Sequence, residues 1–215
     1  MEFPLITKLR GKKLVLASSS PRRREILSKL NVPFDIIPST FPETLDKSQF
    51  ADPADYAQAT ATAKATEVFD KLKESEATDE SLIVVGCDTI VVNPVTNQIL
   101  EKPVSKQHAY EMLKSIKSLD SHQVMTAIVV IGNSNGKSVV LKHVEKTRVE
   151  FGDYVSDEII RAYCETDEPL DKAGGYGYQG MAAMLVSRIN GCYYNIVGLP
   201  LYQLVKILND LIASS

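Results

Sequence analysis

The sequence is poor in the groups that carry nucleophilic and zinc chemistry. It holds three cysteines, Cys87, Cys164 and Cys192, in 215 residues. The number is odd, no two form a CxxC pair, and the spacing fits no zinc site, so reduced, buried thiols are expected. The three histidines, His108, His122 and His143, form no HxxxH pair and no recognisable triad with Ser or Cys. Long apolar runs are also missing. None approaches the ~20 residues of a membrane span, and the first twenty residues lack the ~7–15-residue apolar stretch of a signal peptide. A cytoplasmic protein without membrane association is therefore expected. The formal net charge is −3, which argues against binding to a nucleic acid polymer. There is no internal repeat, low-complexity segment or clear linker.

What is present is globular. Hydrophobic residues make up 44% and charged residues 24%, near the average for soluble domains. At roughly 100–200 residues per domain, one domain over residues 1–215 is expected, and a chain this long buries about 70% of its unfolded surface. The charge is uneven. Residues 1–30 carry eight Lys or Arg against two acids, a net of +6, which leaves −9 for the remainder. That distribution fits either a local anion site or a solvated basic face.

Residues 14–17 read as a buried strand. Ser18-Ser19-Ser20-Pro21 follows, with serine suited to a helix cap and proline to the first turn, and 22–30 reads as a helix. A second strand is expected at 34–38, a proline-containing loop at 38–53, and a helix from 53 towards 73. Residues 74–81 read as a polar loop. Strand-like segments at 82–85 and 89–92 flank Gly86-Cys87-Asp88, with a hairpin turn at 93–97. Helices are expected at 105–116, 156–164 and 199–212, and strands at 125–131 and 139–144 around a turn at 132–136. Alternating strands and helices with a hairpin imply an α/β fold with a mixed central β-sheet flanked by helices.

Residues 132–138 (GNSNGKS) imitate a phosphate-binding loop, but the glycines are one residue too close and β-branched residues follow where a helix is needed. Residues 174–180 (GGYGYQG) are not a dinucleotide fingerprint, because no strand precedes them. The stretch 18–24 is more telling. A strand feeding a capped helix presents amides to an anion, and Arg22 and Arg23 add guanidinium forks suited to phosphate; ordinary helix solvation is the other reading. Asp88 lies within an apolar stretch, where Asp is depleted and needs a partner. It is either an Asp at a bulge or turn after Gly86, or a metal ligand or general base. Lys102 and Lys172 each stand beside a turn, either solvated or directed at phosphate.

Several of these motifs, in order, resemble the Maf family of nucleoside triphosphate pyrophosphatases: LASSSPRR at 16–23, GCDTIV at 86–91, EKP at 101–103, DEPLDKAG at 167–174, YGYQG at 176–180 and GLP at 198–200. The resemblance implies a fold like that of inosine triphosphate pyrophosphatases, with two lobes around a cleft. It implies hydrolysis of a nucleoside triphosphate to monophosphate and pyrophosphate with a divalent cation, Mg²⁺ or Mn²⁺. Carried over by position, Ser18, Ser20, Arg22, Arg23 and Lys172 bind substrate. Asp88 is the proton acceptor, and Glu43, Lys64 and Lys102 join it in catalysis. Arg22, Thr89 and Gln179 set specificity, and Asp88 and Glu43 are the metal ligands. Gln179 with the preceding Asp-Lys-Ala-Gly resembles the dTTP/UTP branch. Tyr178 stands where the family usually has isoleucine. The resemblance also implies a homodimer and a role in clearing modified pyrimidine nucleotides. The same chemistry on 7-methyl-GTP or inosine-type nucleotides, and a weakly catalytic regulator of cell division, are the competing readings.

Overall fold

The computed structural model describes residues 3–75, 81–134 and 137–213. A short helix α1 (Pro4–Leu9) leads into strand β1 (Lys13–Leu16), whose alternation sends Leu14 and Leu16 into one core and Val15 into another. Burial on both faces is why this strand is apolar without interruption. β1 pairs in parallel with β2 (Asp35–Ile36) and with β3 (Leu82–Val92). Parallel neighbours need crossovers, and α2 (Pro21–Ser28) and α3 (Pro53–Ser75) lie on the two connections. Beyond β3 the sheet is antiparallel: β4 (Ile99–Leu100), β5 (His122–Ser134), β6 (Lys137–Phe151) and β7 (Val186–Asn190). The order is β2-β1-β3-β5-β6-β7, with β4 also on β3. This is the expected mixed α/β architecture.

Helices α1, α2 and α7 (Leu201–Ala213) cover one face of the sheet, and α3 covers the other. A third core gathers where β3, β5 and β6 run out of that sandwich. There Val91, Val124, Val149 and Phe151 pack with α4 (Lys106–Lys117) and α5 (Asp157–Cys164). Ser105 and Ser156 cap α4 and α5, each accepting a backbone N–H of the first turn. The long strands thus connect two packed lobes, and a cleft opens between them.

Several boundaries differ from the sequence expectation. β2 has two residues rather than five: Ile37 still donates its N–H to Leu16, but Pro38 has no N–H to continue the ladder. β5 and β6 are longer than expected, pairing without a break from His122 with Val149 to Ser134 with Lys137. The far end of β6 was hidden by exposed Lys146 and Arg148. A strand follows residues 132–136, so the helix a phosphate-binding loop needs is not there; residues 135–136 themselves, and 76–80 of the polar loop, lie outside the described residues. The turn at 93–97 is a hairpin, with Asn97 in the left-handed region at φ 57°. α1, β7 and a short helix α6 (Tyr193–Val197) were not anticipated. Cys87 and Cys164 are buried and Cys192 is half-buried, all free thiols, and burial pushes Cys87 up to about 11. Among the described residues no helix is long and apolar enough to cross a membrane.

His122 opens β5 inside the second lobe. Its Nε2 lies 2.6 Å from the Tyr176 hydroxyl, and its ring packs edge-on against Phe151 and Tyr176 at 5.2 and 5.3 Å. Burial depresses its pKa to about 3. The unfolded chain therefore takes up this proton first, and stability falls as pH drops from the ordinary histidine value towards 3, by about 1.4 kcal/mol per pH unit for this group. Above the ordinary value it contributes no slope. In denaturant unfolding between pH 7 and 5, His122→Gln should lose stability less steeply than the wild type; equal slopes would remove His122 from the acid sensitivity.

Candidate active site

The cleft has a volume of about 580 Å³ and is lined by the turn 18–23, Glu43, Lys64, Asp88, Thr89, Lys102, residues 168–180 in part, and 196–198. It therefore gathers every catalytic, substrate-binding and specificity residue that the family resemblance implies.

β3 crosses this cleft with no register shift. Gly86 faces Val129, Asp88 faces Ala127 and Thr89 faces Thr126 in unbroken antiparallel pairing with β5. The bulge or turn at Asp88 is thus corrected: the residue sits in regular strand and is satisfied by a cation instead. Lys64 Nζ of α3 lies 2.8 Å from Asp88 Oδ1 and 2.7 Å from Glu43 Oε1. Lys64 and Asp88 are each only 7% exposed. Gly86 makes the contact geometrically feasible. A Cβ there would stand 2.6 Å from the Ala61 carbonyl oxygen and 2.7 Å from Ala65 Cβ, so α3 comes this close to β3 only over a glycine. Burial raises the Asp88 carboxyl above the ordinary aspartate value; the Lys64 ammonium and then Arg23 pull against it. Burial acts in the same sense on Glu43, but Lys64, with Lys102 and Arg23, outweighs it and holds that carboxyl below its usual value.

The period of two along a strand sends Thr89 to the opposite face, towards α2. Arg23 donates from Nη2 to Thr89 Oγ1 at 2.9 Å, from Nη1 to Ser18 Oγ at 3.2 Å, and from Nε to the Gly198 carbonyl at 2.9 Å. Thr89 and Thr126 hydroxyls lie 3.0 Å apart, and Thr126 donates to the Asn195 carbonyl at 2.9 Å. Asn195 in turn donates to the Val124 carbonyl and to Thr147 Oγ1. Three of the five Arg23 donors are therefore committed to the protein.

Ser18 Oγ also accepts the Ser20 N–H, and Ser20 caps α2 by accepting from the Arg23 N–H. Arg22 Nη1 stands 3.6 Å from Asp171 Oδ2, and Lys172 Nζ reaches Asp171 Oδ1 at 2.5 Å and the Glu168 carbonyl at 2.8 Å. Lys102 is exposed in the cleft wall. Gln179 is exposed there too, with no hydrogen-bond partner for its amide among the described residues, beside Tyr178, whose ring packs edge-on to Tyr193 at 5.7 Å. The Glu168 carboxylate accepts from the Met181 N–H and the Tyr163 hydroxyl, tying the 168–181 wall together. Gly174 has φ 70°, and a Cβ there would lie 2.7 Å from Val91.

Among the described residues no group of three or more His, Cys, Asp or Glu is placed to hold a metal. Asp88 and Glu43 nevertheless fit a hard divalent cation chemically. Both are carboxylates in the cleft, and each gives one oxygen to Lys64 and keeps the other clear of that contact. Magnesium is commonly held by one or two carboxylates, with water and substrate phosphate completing its shell.

The family model for Maf-like proteins matches residues 13–211. The chain belongs to the Maf family. The match covers the whole of this Maf chain's sheet and cleft. A human protein described as a probable bifunctional dTTP/UTP pyrophosphatase/methyltransferase is 44% identical over 95% of this chain, which spans 33% of the human protein's length. The dTTP/UTP pyrophosphatase of Alkaliphilus metalliredigens (strain QYMF) is 41% identical over 92% of this chain and 95% of its own. A solved nucleoside-triphosphatase / dITP/XTP pyrophosphatase from Mycobacterium abscessus covers 67% of this chain and 76% of its own, with a TM-score of 0.40 and 15% identity, a likeness too slight to weigh.

Reading the Maf sequence by motif missed Gly86 as a packing residue, and it missed Thr126, Asn195, Glu67 and Glu168. Gly86 had a signal: Ala57, Ala61 and Ala65 recur every four residues on α3, a smooth face that matches a glycine on the strand it covers. Thr126, Asn195 and Glu67 act through contacts far apart in sequence and leave no local pattern, while Glu168 contacts Tyr163 and Met181, 5 and 13 residues away.

Gly86→Ala should force α3 away from β3. Overpacking of this kind costs about 1–3 kcal/mol, roughly 2–4 °C in Tm for each kcal/mol at this chain length. A variant with unchanged Tm in calorimetry would show that α3 does not rest on this glycine.

Proposed function

We propose that this Maf-family protein hydrolyses dTTP and UTP to the monophosphate and pyrophosphate, as a single domain over residues 1–215. The observation that carries the reading is the Lys64–Asp88 pair, buried at the floor of a cleft that Arg22, Lys102 and Lys172 also line. A triphosphate is the ligand that needs several cations, and a buried carboxylate above the ordinary aspartate value suits proton acceptance near neutral pH. The relatives named for dTTP and UTP support the choice of base.

Charge stabilisation and positioning dominate phosphoryl transfer. Arg22, Lys102 and Lys172 hold the phosphate oxygens, and Arg22 and Lys172 exchange Asp171 for substrate. Arg23 serves mainly to fix Thr89 and Ser18. Asp88 takes a proton from the attacking water as its oxygen bonds to the α-phosphorus. The bond from that phosphorus to the bridging oxygen breaks, and pyrophosphate leaves. A divalent cation would be held by Asp88 and Glu43 and would neutralise charge on the phosphate oxygens. Gln179, offering both an amide donor and an acceptor, reads the imide edge of the pyrimidine. In the cell this reading makes the protein a cytoplasmic homodimer that clears pyrimidine triphosphates, modified ones included, without binding nucleic acid polymers or membranes.

Purified protein should release pyrophosphate from dTTP and UTP in preference to CTP, GTP, 7-methyl-GTP and ITP in the presence of Mg²⁺. Asp88→Asn should lower kcat by about 10²–10⁴-fold, the range for losing a positioned proton acceptor; it also leaves the buried Lys64 short of one counter-ion, so Tm should fall and turnover is compared well below the variant's Tm. Near-normal turnover in Asp88→Asn would remove it from the mechanism. Preference for a purine triphosphate would overturn the assignment of the base.

A further inference from the structure

We propose that Glu67 is a positioning residue: its carboxylate clasps the loop ahead of Glu43 and so fixes the Glu43–Lys64 contact in the cleft. The inference rests on the reading above only in giving Glu43 a part in the reaction.

Glu67 lies three residues after Lys64 on α3, so both side chains leave the same side of the helix. Four donors from the loop converge on its carboxylate. The Thr40 and Phe41 N–H groups reach Oε2 at 3.0 and 2.9 Å, and the Ser39 and Thr40 hydroxyls donate as well. Ser39 Oγ also accepts the Phe41 N–H at 3.0 Å, so the three residues close on themselves around one anion. Consecutive backbone N–H groups on a carboxylate form strong, charge-assisted contacts. The Ser39 and Thr40 hydroxyls first, and then the Phe41 and Thr40 N–H groups, hold this carboxyl below its ordinary value, which keeps the clasp ionised across neutral pH.

The loop then reaches Glu43 in two residues. Pro42 fixes the backbone, and Thr44 donates its N–H to the Pro42 carbonyl at 2.8 Å, so Glu43 sits inside a tight turn. Ile37 and Leu45 pack on the α3-side core at the two ends of this segment. Between them the backbone is tied down at Glu67. Glu43 is half exposed (52% for its side chain), and an ion pair so open to solvent contributes little on its own. Its geometry is therefore inherited from the clasp one helical turn away, while Lys64 is occupied with Asp88.

The test is pyrophosphate release from dTTP by Glu67→Ala and Glu67→Gln, each made in the wild type and in Glu43→Ala. Glu67→Ala should lower kcat by about 10–100-fold, the scale of a misplaced catalytic group. Glu67→Gln should recover part of this, because its amide oxygen still accepts the loop N–H groups. In Glu43→Ala, the further change to Glu67→Ala should be about twofold or less, since the two act as one unit. An equal loss in both backgrounds would overturn the proposal, as would wild-type kcat in Glu67→Ala. If Glu43→Ala alone keeps wild-type turnover, Glu43 leaves the mechanism and the clasp has no catalytic consequence. Amide exchange separates the clasp from the assignment of substrate, because it needs no turnover. In Glu67→Ala the Thr40, Phe41 and Thr44 amides should exchange roughly tenfold faster or more, the value of a hydrogen bond to a charged group; unchanged exchange at Thr44 would overturn the proposal even in an enzyme inactive on dTTP.

Discussion

The arrangement depends on one ion pair drawn out of water. Lys64 and Asp88 are both almost fully buried, and removing two charges from solvent costs several kcal/mol for each ion before their attraction is counted. Such a pair is a poor source of stability, and losing one partner leaves the other uncompensated. Its value is positional. It holds an acid at the floor of a cleft, at a point where a strand would otherwise carry an apolar residue. Gly86 lets α3 come close enough to deliver the lysine, and the loop at 39–44 brings Glu43 to the same ammonium from the opposite side.

The strand that carries Asp88 uses both of its faces at this point. Asp88 turns to α3, and Thr89 turns to α2 and Arg23. From Thr89 a line of hydrogen bonds runs through Thr126 and Asn195 to Thr147, which crosses β3, β5 and β6. A buried network of this kind is rigid when its members are satisfied; here, among the described residues, Asn195 Oδ1 has no partner. The cleft floor is thus built from two adjacent residues of one strand, each braced by a different helix. The cations that surround it come from the first turn of α2 (Arg22) and from the segments that carry Lys102 and Lys172.

Much of this was legible because it is local. The apolar strand, serine cap and proline start of α2 are signals within ten residues, and α2 begins where they place it. Asp88 stood out as an acid in an apolar run, and only the position of α3 could decide between a bulge and a partnered charge. The family resemblance supplied Glu43, Lys64, Lys102 and Gln179, and all four line the cleft. What was hidden depends on distant contacts. Glu67 looks like any helix-surface acid until Thr40 and Phe41 fold onto it. Asn195 lies in a short helix whose apolar neighbours conceal a buried amide. β6 carries exposed residues at alternate positions on part of its length, Lys146 and Arg148 among them, so its true extent emerges only from pairing with β5.

The most direct measurement is the titration of Asp88 itself, by carbon-13 NMR of the labelled carboxyl in the wild type and in Lys64→Met. Burial lifts this group and Lys64 opposes the lift, so the wild-type midpoint should lie above the ordinary aspartate value and should move higher when the ammonium is removed. A midpoint at or below the ordinary value in the wild type, or one that Lys64→Met leaves in place, would contradict the account.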